Sequence, residues 1–557
     1  MVSIKPLRSG PPGTPMAVSL RSTRELATGN WRTFRPERVE RPSPCNLDCP
    51  AGTDVRAFLQ FAAEGDVARA WHTIRRHNPF PDICGRACYH PCELACNRTA
   101  LDEAVNIHAI ERAIASEASR RRIGPEPIAA PALAPRVGIV GAGPAGLSCA
   151  YHLARRGYPV TVFDDNVEPG GMLRYGIPRY RLPRRTLDRE IAMLSRMGIT
   201  FISGAHVGAT RGAPDLSSYA ALFLAIGAQR AKRSRVPGES FRGVRSGLDL
   251  LREVNTGGGA PIVGRTIVIG GGNTAIDAAR VARRLGADVT IAYRRSTSDM
   301  PAHPDEVAQA REEGIDFVQY VAPMKFVGSG GRLTGIECQR MRPGEPDASG
   351  RPRPEPIPGS TFTITADQAL TAIGEEVDVA TLHRFALSNG GRLRADRWGR
   401  TSRAGIFAGG DAATGAGTVA EAIGSGRRAA DGIDAHVQGR DLVKEGTAER
   451  VGPPDLNLFY FAPHPRAIPP SVPDPRTFDE VVAGLGWPQA MAEAQRCFTC
   501  GACTACDNCY VFCPDAAIVP NRATGAYEVD LTHCKGCGIC ATECPRGAIV
   551  LRPEEQR

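Results

Sequence analysis

Aromatic residues make up only 6% of the 557 positions, and they do not alternate with basic ones in a stripe. Without stacking rings on a cationic face, or a DNA-reading motif, nucleic-acid binding has nothing to rest on. No apolar run approaches the roughly 20 residues of a membrane-spanning helix, so no membrane insertion is expected. The first 20 residues also lack a charged-then-apolar signal followed by a small-residue cleavage site. A cytoplasmic location is therefore the expectation. The 11 histidines are scattered, and no Ser/His/Asp or Cys/His grouping marks an activated nucleophile. His90 and His303 fall inside motif regions, but neither is needed as a base.

Apolar content of 42% and charged content of 23% describe a globular chain, and its length fits about three or four domains. The net charge of +9 is uneven: residues 1–41 hold eight Lys/Arg against three Asp/Glu. Such a leader is either a solvated tail or an arm for an acidic partner. The 18 cysteines are the loudest feature, and 16 of them lie in two clusters at opposite ends. Cys149 and Cys338 stand alone and read as small buried hydrophobes. In a large chain without an export signal, such clusters point to metal rather than disulfides.

The expected organisation is multidomain: a basic leader (1–41), a Cys-rich helical domain (42–122) and a Pro/Ala linker at 123–135. An α/β core with two dinucleotide-binding units follows (136–260, 261–365, 366–440), then a linker (441–489) and a Cys-rich α+β unit (490–557). The polar, Pro-rich run at 342–359 reads as a loop, and 478–485 as a short helix.

"VGIVGAGPAGLSCAYHLARRGYPVTVFDD" is a strand, a glycine turn, a helix and a second strand. Gly141, Gly143 and Gly146 form G-x-G-x-x-G, and Asp164 ends the second strand, where an acid can bind ribose hydroxyls. With Pro144 and Ala145, these are candidate ligands of one dinucleotide, whose pyrophosphate would meet the helix N-terminus. A second unit turns at Gly270, Gly271, Gly272, Asn273 and Thr274, with Asp277 on its helix. Its second strand ends in Arg294 and Arg295 with no acid, which suits the 2′-phosphate of NADP(H), while NAD(H) stays open.

Two such units in one chain resemble the disulfide-reductase-like flavoproteins, as do "GIFAGGDA" (405–412), "LFLAIGA" (222–228), "ALTAIG" (369–374) and "TVAEAIGSGRRAA" (418–430). The resemblance implies FAD in the first unit. Its further candidate ligands are Gly171, Met172, Leu173, Ile177, Gly227, Gly374, Gly410, Asp411, Gly417, Thr418 and Ala420. The family's redox cysteine pair is missing from "PGGMLRYGIPRYRLP" (169–183), so electrons need an exit other than a dithiol.

Cys503, Cys506, Cys509 and Cys513, then Cys534, Cys537, Cys540 and Cys544, repeat C-x2-C-x2-C-x3-C-P, the bacterial two-cluster ferredoxin spacing. On that pattern one 4Fe-4S cluster takes Cys503, Cys506, Cys509 and Cys544, and the other Cys534, Cys537, Cys540 and Cys513. Two complete runs argue against zinc.

At the other end, the segment from Cys45 through Cys49, Cys84, Cys88, Cys92 and Cys96 resembles the helical iron–sulfur domain of NADPH-dependent glutamate synthase small subunits and dihydropyrimidine dehydrogenase. The likeness covers about residues 30–440 and leaves out the ferredoxin unit. It implies one or two further 4Fe-4S clusters, electron transfer between NAD(P)H and a ferredoxin or partner, and no catalytic side chain beyond the flavin. Companion subunits of 2-oxoacid oxidoreductase type, a glutamate synthase large subunit, or a purely structural iron–sulfur scaffold are alternatives; a homodimer stays open.

This chain departs from that family at the domain's opening, where two of four cysteines are absent upstream of Cys45. By the resemblance, Cys45 and Cys96 then need two more ligands. Cys49, Cys88 and Cys92 need one, from Cys84 or Glu111. Cys497 and Cys500 are surplus to the ferredoxin pattern and sit in "RCFTC", like the missing pair. Folding back to Cys45 and Cys96 is the favoured expectation; free thiols, a zinc role and ligation across a dimer are the rivals.

Overall fold

The computed structural model describes residues 25, 27–125, 135–208, 214–378, 388–389, 391–415, 417–442, 446, 449–472, 474–521 and 525–554, with the short strands Lys5–Leu7 and Met16–Val18. Most of the Pro/Ala linker (126–134) and the rest of the first 24 residues lie outside that set.

A first strand, β1 (Phe34–Arg38), precedes the helical domain. Helices α1 (Val55–Ala63) and α2 (Val67–Arg75) start on Asp54 and Asp66, whose carboxylates accept from the Ala57 and Arg69 backbone N–H. Such caps satisfy donors that the first turn leaves open. α3 (Pro81–Ala87) opens with proline, and α4 (Ile107–Arg120) with an Asn106 cap. Phe58, Leu59, Ala62, Ala70 and Ile74 recur at helical spacing and pack on Ile110, Ala113 and Ile114 of α4.

The core then alternates strand and helix: β2 (Val137–Val140), α5 (Pro144–Arg155), β3 (Val160–Asp164), β4 (Thr200–Ser203) and β5 (Ala221–Leu224). The second unit holds β6 (Val244–Ser246), β7 (Arg265–Ile269), α6 (Asn273–Arg284), β8 (Asp288–Tyr293), α7 (Pro304–Glu312) and β9 (Asp316–Gln319). It continues through β10 (Val321–Ser329), β11 (Arg332–Pro346), β12 (Pro352–Thr365) and β13 (Gln368–Thr371). β14 (Ile406–Ala408) and the long helix α8 (Val419–Val437) return to the first unit. Two five-stranded parallel sheets result, ordered β14-β5-β2-β3-β4 and β9-β8-β7-β13-β6. Because β6 belongs to the second sheet, that unit begins earlier than residue 261. The chain crosses where Arg230–Ala231 pairs with Glu375–Glu376.

Two local expectations are corrected. The Pro-rich run 342–359 is not a loop but most of a long antiparallel ribbon, β11 paired with β12. Pro352, Pro354, Pro356 and Pro358 lie on the edge strand, where the register with β11 shifts between Gln339 and Met341 and between Pro343 and Pro346; edge strands and bulges are where a sheet tolerates proline. Residues 478–485 are not helical. They form an extended strap in which Val472 N–H donates to Val481 O (2.8 Å) and Val481 N–H to Tyr180 O (3.1 Å). Val481 packs into the core of the second unit, while Arg86 and Arg112 of the helical domain hold Glu480 at 2.7 and 2.9 Å.

The C-terminal unit carries α9 (Trp487–Gln495), the hairpin β15 (Ile518–Asn521) and β16 (Ala526–Val529), and β17 (Ile549–Pro553). Within the leader, residues 34–38 are not a solvated tail: β1 pairs antiparallel with β17, from Phe34 against Pro553 to Arg38 against Ile549. Buried Arg32 reinforces it, donating to Leu531 O (2.7 Å) and Cys534 O (3.1 Å) and holding Glu554 by two bonds. Among the described residues no helix is long and apolar enough to cross a membrane.

Candidate functional site

The β2–α5 turn opens a groove that runs from Asp164 at one end to Asp411 and Ala422 at the other. Gly141, Gly143, Pro144, Ala145, Met172, Gly227 and Gly410 line it. A Cβ on Gly146 would stand 1.9 Å from Gly141 O, so only glycine lets helix and strand approach this closely. Beyond Gly143 the only nearby atom among the described residues is Gly171 Cα, 3.9 Å from where a Cβ would be, which leaves the turn open to a pyrophosphate. Asp164 accepts from Ala142 N–H (2.6 Å) and Asn166 N–H (2.8 Å), which orients it at the groove's end. Burial, with the Glu421 and Glu375 carboxylates, pushes the Asp411 carboxyl up to about 6. Thr418 caps α8 in a reciprocal bond pair with Glu421, and Leu173 is core.

In the second unit, no described residue lies within 4 Å of a Cβ on Gly272, while a Cβ on Gly271 would strike the Tyr293 ring at 2.3 Å. Thr274 Oγ1 donates to Glu375 (2.8 Å) and Asn273 Oδ1 accepts from His303 N–H (3.0 Å). The turn therefore offers an open N-terminal end of α6, the geometry that a pyrophosphate requires.

The cysteines gather in four cavities. Cys49, Cys84, Cys88 and Cys92 line one, together with Glu111 and Ala420 of α8. Cys45, Cys96, Cys497 and Cys500 line a second, and Ile107 borders both. Cys503, Cys506, Cys509 and Cys544 line a third; Cys513, Cys534, Cys537 and Cys540 line a fourth, and Ile518 borders both. None of the 18 cysteines is in a disulfide. Burial pushes the Cys88, Cys500 and Cys540 thiols up to about 12. Sets of four thiols gathered round one cavity, buried in part and without disulfides, fit a cluster that supplies positive charge to the thiolates.

The pyridine nucleotide-disulphide oxidoreductase model matches residues 135–426, the dihydropyrimidine dehydrogenase domain II 4Fe-4S model matches 39–123, and a 4Fe-4S binding domain matches 527–550. The chain belongs to the pyridine nucleotide-disulphide oxidoreductase family. Among its relatives is the NADPH-Fe(3+) oxidoreductase subunit beta of Geobacter sulfurreducens, 37% identical over 84% of this chain and 77% of the relative. The NADP(+)-dependent formate dehydrogenase subunit beta of Moorella thermoacetica is 36% identical over 82% and 70%. The glutamate synthase [NADPH] small chain of Escherichia coli is 37% identical over 70% and 87%. The protein is an NADPH-dependent oxidoreductase that uses FAD and 4Fe-4S clusters, of a kind that serves as a subunit of larger redox complexes.

Within this pyridine nucleotide-disulphide oxidoreductase, some nominated residues stand away from the cofactor turns. Asp277 faces a domain junction, paired with buried Arg181 at 2.8 Å, and burial leads the rise of its carboxyl to about 6. Arg295 is buried too, held by Asp347 (2.5 Å) and Pro352 O (2.7 Å), whereas Arg294 is exposed at the end of β8. Gly374 sits at the interdomain crossing beside Glu375. Glu111 is fully buried: it accepts from Asn78 Nδ2 (2.9 Å), and burial pushes it up to about 8. Cys84 and Glu111 both reach the same cavity, so both remain available as its fourth ligand. Sequence reasoning missed Gln229, Arg230 and Arg252 on the groove wall. They follow the "LFLAIGA" strand, and no spacing rule marks them.

Proposed function

We propose that the protein carries electrons between NADPH and a ferredoxin or partner oxidoreductase, as the flavin-bearing subunit of a complex of the 2-oxoacid:acceptor type. The observation that carries this reading is the unbroken succession of sites. Ala422 of α8 lines the flavin groove, and Ala420, half a turn away, lines the Cys49 cavity. Ile107 separates that cavity from the Cys45 one, and Cys500 and Cys503 then lead to the ferredoxin pair divided by Ile518. When bound, FAD supplies hydride exchange with NADPH and one-electron exchange with the clusters. The residues supply position and dryness. The open turns at Gly143 and Gly272 receive the pyrophosphates, the capped end of α8 faces the flavin end, and Ile107 and Ile518 are apolar partitions. No cysteine pair lines the groove among the described residues, so the route out runs through the clusters.

The relatives named for Fe(3+) reduction and formate oxidation support the electron-transfer reading, since their likeness extends over more than four-fifths of this chain. The glutamate synthase small chain is a second reading; its likeness covers 70%, a smaller share. The test is anaerobic purification from the native host, with the co-purifying chains assayed with NADP and 2-oxoacids. A 2-oxoacid-oxidising partner supports the proposal. A large amidotransferase-containing chain would favour the glutamate synthase reading, and failure of NADPH to reduce viologen would sink both.

Arg294 is proposed as the 2′-phosphate ligand, because Arg295 is already committed to Asp347. Arg294→Ala is expected to raise KM for NADPH on the order of tenfold, as a charge-assisted bond contributes about 1.5–3 kcal/mol. KM for NADH should stay as it is. Equal effects on both nucleotides would rule Arg294 out.

A further inference from the structure

The cavity of Cys45, Cys96, Cys497 and Cys500 joins residues from opposite ends of the chain. Its construction begins with α9, whose Ala490 and Ala494 enter the core of the helical domain. Glu493 then accepts from Asn106 N–H and Ala467 N–H, both at 2.8 Å. Arg496, at the end of α9, is buried; it donates to Glu103 O (2.7 Å), while its own carbonyl accepts from Arg98 Nη1 (2.7 Å). These bonds fix the chain just before Cys497. Gly501 then turns in the left-handed region (φ 78°), where a Cβ would stand 2.2 Å from Arg41 O. Cys500 is thus held between the helical domain and the ferredoxin.

The cavity is otherwise apolar or donor-lined toward sulfur. Ser43 Oγ lies 3.2 Å from Cys45 Sγ, Thr499 N–H donates to Cys497 Sγ (3.4 Å), and Asn97 Nδ2 donates to Cys500 Sγ (3.5 Å). Donors to sulfur are what an iron-bound thiolate accepts. Among the described residues no histidine or carboxylate lines it.

We propose that Cys45, Cys96, Cys497 and Cys500 together bind a 4Fe-4S cluster, so that this cluster forms only once the C-terminal unit has docked on the N-terminal domain. It rests on the electron-transfer reading for its role, though not for its existence. Docking is then a condition of conduction, because this site stands between the Cys49 cavity, across Ile107, and the ferredoxin, by way of Cys500 and Cys503.

The experiment compares wild type with Cys497→Ser/Cys500→Ser, Cys45→Ser and the control Cys149→Ser, all purified anaerobically. Iron and sulfide per FAD are measured, with EPR spectra after reduction by dithionite or by NADPH. The wild type should hold about sixteen iron, from four clusters of four iron each. The two site variants should lose about a quarter of it and keep FAD and the ferredoxin signals. Their ferredoxin clusters should respond to dithionite but no longer to NADPH; the control should match wild type. Unchanged iron in both site variants, or zinc lost in its place, would overturn the site. Should the variants fail to fold, the wild-type inventory decides, since about twelve iron refutes the proposal. A wild type with full iron whose ferredoxin clusters ignore NADPH would defeat the functional reading and leave the site standing.

Discussion

Protein carrying Gly424→Ala is expected to bleach its flavin with NADPH while its iron–sulfur centres stay oxidised. Gly424 lies on α8, where an added Cβ would come within 1.9 Å of Pro50 O, next to Cys49. The methyl must lift the helix from the loop of residues 49–52, and such overpacking costs about 1–3 kcal/mol. The same helix gives Ala422 to the flavin groove and Ala420 to the Cys49 cavity, so the displacement falls on the thin wall between them. Gly424 itself does not line the flavin groove, and the turn proposed for NADPH lies in the other nucleotide unit, at the start of α6. Following flavin absorbance and cluster EPR after mixing with NADPH should therefore show the first reaction without the second. Gly124→Ala, which meets nothing within 4 Å among the described residues, is the control. Cluster reduction at the wild-type rate in folded Gly424→Ala protein would disprove the assignment of this wall.

The second large effect is expected at Arg181. Its guanidinium is fully buried and joins three domains, pairing with Asp277 (2.8 Å) and Glu306 (2.7 Å) of the NADP unit and donating to Tyr89 OH (3.1 Å) of the helical domain. Beside it, the Tyr180 ring lies under Arg280 (4.6 Å) and Arg284 (3.9 Å), which both hold Glu313. Arg181→Ala leaves Asp277 without its cation in a dry interface, while Glu306 keeps Arg280; breaking such a buried pair costs about 3–5 kcal/mol. The sign of its pH dependence follows from Asp277. Its ordinary value is 3.8 and its value in the fold about 6, so the folded state is the one that resists ionisation. Stability is therefore lost as pH rises between those values. Without Arg181 the upper limit moves higher, and the variant's deficit should widen toward alkaline pH. Urea unfolding at mildly acid and mildly alkaline pH measures this, and the rate of flavin reduction by NADPH reports the loosened NADP unit. A deficit that narrows toward alkaline pH, or an unchanged reduction rate, would count against the clamp.

Much of this was legible because it is local. A glycine turn between strand and helix needs only a few neighbours, and the C-x2-C-x2-C-x3-C runs carry their spacing in the chain itself. Long-range pairing leaves no such mark. Nothing near Arg32 foretells that it donates to the carbonyls of Leu531 and Cys534. Arg294 and Arg295 look alike in sequence, and only the ribbon bearing Asp347 tells them apart. The prolines of β12 read as loop because nothing local marks the edge strand that tolerates them. Phe478–Leu485 looked helical by pattern, yet its partners are Tyr180 and residues 470–472, whose backbones claim it first.

The pairing of β1 with β17 also bears on synthesis. Arg32 and its partner Glu554 are 522 residues apart. At about 5–20 residues per second, the ribosome leaves roughly 30–100 s between them. Throughout that interval the nascent leader has no strand to join, and Cys45 and Cys96 form half of a site whose other half does not yet exist. Iron delivered early would meet two thiols rather than four, so on this proposal the cluster's assembly waits until Cys497 and Cys500 have been made.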